Sequence, residues 1–229
     1  MNNMVIKAVK NMTHVDRNEF LRKTFPKTYV ACRGKDHLPS PAQLVVKASV
    51  LKQKAESVIR KHKFVCASIS GGLGIPGGAG MAASIPADLA QFYGHLLVVA
   101  QKIGYIYGMQ DLSQADDQTE YECLIALLYI MMGQTLNRSL SNVLKNCTKP
   151  FVRTVFQNRG GKEVFQRVME FAVTKIGGEM LTKKGISRVA SKLIPGISAG
   201  VSFGLTWMFF DQGCNRLLKH FERELVAVA

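Results

Sequence analysis

Between Lys63 and Asp88 the chain runs for 24 residues without a charge, FVCASISGGLGIPGGAGMAASIPA, and six of these are glycine and two proline. The length alone would carry a helix across a bilayer. The composition argues against an ordinary straight helix, because each interior glycine costs about 1 kcal/mol relative to alanine and proline breaks the hydrogen-bond ladder. Gly71–Gly72, Gly74, Pro76 and Gly77–Gly78 therefore predict a helix–loop–helix, with Pro86 near the start of the second helix.

A second uncharged run, LIPGISAGVSFGLTWMFF, fills the 18 residues between Lys192 and Asp211. Gly196, Gly200 and Gly204 recur there at four-residue spacing, which puts them close to one helical face. Such small-xxx-small spacing is that of membrane helix pairs. It serves tight crossings inside a soluble bundle equally well. Gly71, Gly72, Gly74, Gly77, Gly78, Gly80, Gly196, Gly200 and Gly204 are the candidates for close helix packing or lipid-chain contact.

Charge is segregated around these runs. The net formal charge is +14, from 30 Lys+Arg against 16 Asp+Glu, yet mean hydropathy is +0.07. Residues 1–63 carry fourteen positive and four negative side chains, residues 64–144 two and six, residues 145–192 eleven and three. Two basic blocks thus flank an apolar one. This pattern disfavours a charge-balanced metabolic enzyme and points to phosphate-bearing partners, anionic lipid or nucleic acid. Few aromatics interleave the basic residues and there is no helix-turn-helix signature, so lipid is favoured over nucleic acid.

Residues 1–39 read as a basic arm containing a short helix, and residues 40–229 as one helical domain. Ser40 and Pro41 resemble a helix start. From there Leu44, Ala48, Leu51, Ala55, Val58 and Ile59 recur as an apolar stripe, with Lys47, Lys52, Lys54, Arg60 and Lys61 mostly off it. Further helices are expected over about 86–107, from Asp116–Asp117 to Gly133, as two or three amphipathic elements up to Lys192, and from Pro195 onward. The only plausible strand is Phe64–Ser70. The fold class is all-α, a compact multi-helix bundle with glycine-rich apolar central helices and basic amphipathic outer ones.

The five cysteines are widely spaced, form no CxxC pair and follow no signal-peptide pattern, which predicts a reduced intracellular chain with small buried thiols. Gly72–Gly77 matches GxGxxG, but Pro76 obstructs the helix a dinucleotide would need and no acid follows at the required distance. No nucleophile motif, metal-ligand set or carboxylate pair stands out, and no cofactor is expected. Asp88 and His95, seven residues apart, form a candidate buried polar site. Asp88 in an apolar segment is a candidate for handling protons or cations. Its place in the first turn suits a dipole-answering acid better. His95 reads most simply as a core histidine.

The stretch Gly71–Gln110, in which glycines lead to Pro86-Ala87-Asp88 and an apolar helix closed by Tyr107-Gly108, resembles the core of the EcsC family. Ser187–Phe221, a basic helix leading to Leu193-Ile194-Pro195-Gly196 and a glycine-containing apolar helix, is similar to that family's ending. Together they cover about 75 residues, and the order and spacing fit from about residue 40 onward. Family endings often carry an asparagine where Thr206–Trp207 stand here, so any role of that side chain does not transfer. The resemblance implies a bacterial helical protein connected with an ABC transporter, secretion and membrane physiology, and it implies no catalytic activity.

The leading expectation is a non-enzymatic, cytoplasmic, membrane-associated protein, peripheral or inserted, accessory to transport, secretion or envelope maintenance. A membrane transporter or other membrane protein is a candidate partner. Lys47, Lys52, Lys54, Arg60, Lys61, Lys183, Lys184, Arg188 and Lys192 would face anionic headgroups. Alternatives are a membrane-permeabilising toxin or defence effector, and a soluble carrier of a lipid or other apolar ligand. An enzyme would need Asp88, Tyr93, His95 and Asp111 gathered around one pocket.

Overall fold

Local capping chemistry sets three of the helix starts. The computed structural model describes residues 15–32, 34–35, 38–41, 43–44, 46–73, 78–148, 161–172 and 197–228. Among these are seven α-helices and no strand: α1 (Arg17–Thr24), α2 (Ala48–Leu73), α3 (Gly78–Ile106), α4 (Asp117–Met131), α5 (Arg138–Asn146), α6 (Gly161–Phe171) and α7 (Ile197–Val228). Asp16 caps α1 by accepting from Glu19 N at 2.8 Å, and Asn137 caps α5 by accepting from Leu140 N at 2.9 Å. Asp116 caps α4 through Gln118 N and Thr119 N, as its sequence position predicts. Gly133 follows α4 with φ +72°, a conformation that glycine adopts without cost.

Two local expectations fail. Ser40 and Pro41 form an isolated turn, in which Ser40 N donates to Gln43 Oε1 at 2.8 Å and Val46 N closes back on Pro41 O at 3.1 Å. That wide closure ends the turn, and α2 begins seven residues after Pro41, at Ala48. Phe64–Ser70 is helical rather than extended, because it continues the stripe that buries Leu51, Ala55, Ile59 and Cys66. The expected break does occur. α2 ends at Leu73 and α3 begins at Gly78, eight residues before Pro86, which therefore lies inside the helix.

α2 and α3 form an antiparallel hairpin, since Cys66 meets Gln91 and His62 meets His95 across it. α7 lies antiparallel along α2, with Lys52 paired to Glu222 at 3.3 Å and Lys63 to Asp211 at 2.5 Å. α3 is the central element, packed against α1, α2, α4, α6 and α7. α4 is apolar nearly all round, burying Cys123 through Leu128 and Met131, as befits an interior helix. Arg216 of α7 donates to Met131 O at 2.9 Å and so satisfies an orphan carbonyl at the end of α4.

The segment preceding α2 shares this core. Leu21, Phe25, Tyr29, Cys32 and Leu38 are all buried in it. Arg17 is fully buried and donates to Met109 O at 3.0 Å and Leu38 O at 2.8 Å, tying α1 to the end of α3. Cys123 and Cys147, read from the sequence as unpaired thiols, are joined as a disulfide between α4 and the end of α5. The α4–α5 hairpin brings these distant positions together, which no local spacing announces. Cys32, Cys66 and Cys214 are free and buried.

Candidate functional site

The apolar stripe of α2 runs Ala55, Ile59, then His62, then Cys66, so the helix turns an imidazole toward α3 where a core residue would stand. On α3, His95 and Lys102 are seven residues apart and share a face. The three side chains meet. Lys102 Nζ lies 2.9 Å from His62 Nε2, and His62 Nδ1 lies 3.1 Å from His95 Nδ1, the rings edge to face at 5.4 Å.

Proton placement follows from the lysine. An ammonium donates only, so His62 accepts at Nε2 and carries its proton on Nδ1. It then donates to His95 Nδ1, which leaves the His95 proton on Nε2. That nitrogen is buried and has no hydrogen-bond partner. The assignment rests on donor and acceptor logic, the usual basis for histidine tautomers.

Burial and neighbouring positive charge hold both rings neutral. Burial, then the charges of Lys102, His95 and Lys61, push the His62 pKa down to about 3. Burial and Lys102 push that of His95 down to about 4. Lys102 is itself lowered, first by burial and then by Lys61. The ring of Phe20, 5.8 Å from Lys102 Nζ, covers the cluster from α1.

Just beyond this cluster the outside of the bundle changes character. From Lys52 to Ser70 the exposed side chains of α2 are Lys52, Gln53, Ser57, Arg60 and Lys61, and then Phe64, Val65, Ser68 and Ile69. Along α7 the exposed Trp207, Met208 and Phe209 give way to Gln212, Asn215, Arg216 and Lys219. Because the helices are antiparallel, both changes fall at one level, marked by the Lys63–Asp211 ion pair. Lys63 Nζ also sits 4.2 Å over the Trp207 ring. Phe64 is 60% exposed and Met208 44%, large values for such side chains in a packed bundle. No helix among the described residues is long and apolar enough to cross a membrane.

Set against the sequence expectations, the structure pairs His95 with His62. Asp88 lies on α3, and its side chain is outside the described set. Tyr93 is fully buried, while Asp111 caps a 3₁₀ turn beyond the far end of α3, so these do not gather around His95. Lys47, Lys52, Arg60 and Lys61 are exposed, and Lys52 is engaged by Glu222. Lys54 is half-buried, with its ammonium 6.0 Å from the centre of the Phe25 ring. Lys183, Lys184, Arg188 and Lys192 lie outside the described residues, as do Gly74, Gly77 and Gly196.

Gly71 and Gly72 fall in the last turn of α2, Gly78 and Gly80 in the first turn of α3, and Gly200 near the start of α7. Among the described residues a Cβ at Gly204 would meet nothing within 4 Å, so no crossing of the described helices requires glycine there. The tight approaches are elsewhere. A Cβ at Gly104 would come within 2.7 Å of the Met109 side chain, and one at Gly213 within 3.3 Å of Met131 O. Gly104 stands four residues before Gly108, a spacing that the sequence reading passed over, while Gly213 belongs to no repeated spacing.

Comparison of the chain with protein-family models, with curated proteins and with solved structures finds no match.

Proposed function

We propose that this protein is a non-enzymatic, membrane-associated helical protein that docks on the cytoplasmic face of an anionic bilayer through the apolar end of the α2–α3–α7 group. The observation that carries this reading is the shared change of surface at Lys63–Asp211, polar and basic on one side, apolar on the other. An exposed apolar patch is costly in water and marks a binding surface. Arg60 and Lys61, one turn from Phe64, would then stand at headgroup level, each contributing about 1 kcal/mol. Trp207 at the boundary matches the interfacial preference of indole. The EcsC-like order of segments supports an accessory role in transport, secretion or envelope maintenance, with a membrane transporter as candidate partner.

The test is co-sedimentation of the full chain with vesicles of phosphatidylcholine containing phosphatidylglycerol. Binding should weaken with salt and fall by about tenfold or more when Phe64 and Trp207 are both replaced by Ser. Binding indifferent to both changes would overturn the reading. Release of an entrapped dye would instead support the permeabilising alternative, and a soluble chain carrying co-purified lipid would support the carrier.

A further inference from the structure

The His62–His95–Lys102 cluster has donors and no acid. An ammonium taken partly out of water normally has a carboxylate for company, as Lys63 has Asp211. Lys102 has a neutral imidazole instead. Among the described residues the charged side chains that act on the three groups are lysines, Lys61 from α2 and Lys102 from α3, and none is an acid. α1 contributes the Phe20 ring, and the acid beside it, Glu19, is occupied by Lys23 at 2.5 Å. Val15 N donates to Gln101 Oε1 at 3.0 Å, next to Lys102, and residues 1–14 contain no Asp or Glu. Among the described residues no acid answers the cluster, which leaves it open to an anion supplied as a ligand.

We infer that Lys61, His62, His95 and Lys102 form a binding site for a phosphate group, either a lipid headgroup or a free phosphate. Several features select phosphate among anions. His62, His95 and Lys102 meet in one half-buried cluster built from two helices, with the exposed Lys61 beside it, which suits an anion with several acceptor oxygens rather than a single point. The unpartnered His95 Nε2–H supplies a directional donor, and Lys102 and Lys61 supply positive charge to match an anionic phosphate. A phosphate oxygen drawing on Lys102 would also release His62 Nε2 to take up a proton, so binding and imidazole protonation are linked. The site stands on its own geometry. Only the lipid source of the phosphate rests on the membrane reading, because the cluster lies one residue from the level at which the outside of the bundle becomes apolar.

The test follows the histidine ring protons by NMR while the full chain is titrated from neutral to acid pH, with and without inorganic phosphate. Two rings should titrate well below ordinary histidines without phosphate and move up by about one pH unit or more with it. Lys102→Met should abolish that movement, with the circular dichroism melt confirming that the variant folds. The exposed Lys61→Gln should weaken phosphate affinity about threefold or more without a folding risk. Ring protons indifferent to phosphate, or an unchanged response in Lys102→Met, would overturn the site.

Monomeric short-chain phosphatidylglycerol distinguishes the sources. Tighter binding than inorganic phosphate assigns a headgroup site, and weaker binding assigns a free-phosphate site. The Phe64→Ser, Trp207→Ser variant separates the two readings, since it should lose vesicles and keep the phosphate response.

Discussion

Arg17 and Lys102 are both cations taken into the same bundle, and the fold treats them differently. Arg17 is fully buried and donates from Nε and Nη1 to two backbone carbonyls, Met109 O and Leu38 O, with Asp111 contributing favourable charge, although its Nη2 has no hydrogen-bond partner. Lys102 is only half-buried, yet its contacts are an imidazole, an aromatic ring and further positive charge. The first arrangement fastens a segment: it pins α1 and the chain at Leu38 onto the end of α3. The second makes one hydrogen bond across the α2–α3 hairpin, to His62 Nε2, and has no acid to balance its charge among the described residues. A buried cation matched by acceptors inside the fold is structural, while one left among donors points to a partner outside it.

The sharpest way to break this contrast is to remove each cation. Arg17→Met leaves two buried carbonyls unpaired and should cost about 3 kcal/mol of stability, read by urea denaturation. Acidification should come next in size. The unfolded chain takes up protons at ordinary histidines near pH 6.5. In the fold His95 waits until about 4 and His62 until about 3. Below about pH 6.5 the unfolded state therefore binds more protons, and stability falls with pH by up to about 1.4 kcal/mol per unit for each ring, less for their partial exposure. Phosphate should flatten that slope and His62→Gln should reduce it, while Arg17, which does not titrate in this range, contributes none. The smallest effect is expected of Lys102→Met, within about 1 kcal/mol of the parent at neutral pH, because an apolar chain of similar length replaces a desolvated amine. A loss as large as that of Arg17→Met would show that the two centres are alike.

The helical class, the break in the glycine-rich run, the Asp116 cap and the stop at Gly133 were legible in the sequence, because each depends on residues within one or two turns of one another. The stripe Leu51, Ala55, Ile59 also placed the buried face of α2. Extended by one step it would have turned His62 inward, but the flanking Lys61 and Lys63 disguised that position as part of a basic surface. Asp88–His95 was read as a polar pair because its partners were sought along one helix.

What the sequence determined by itself is local: where helices form and end, and which face of each is apolar. Tertiary structure alone decided that His62 meets His95, 33 residues away, that Cys123 meets Cys147, and that the surfaces of α2 and α7 change character at the same level. Those pairings depend on the antiparallel register of neighbouring helices. Register is set by the summed packing of many side chains, and no single spacing in the sequence records it.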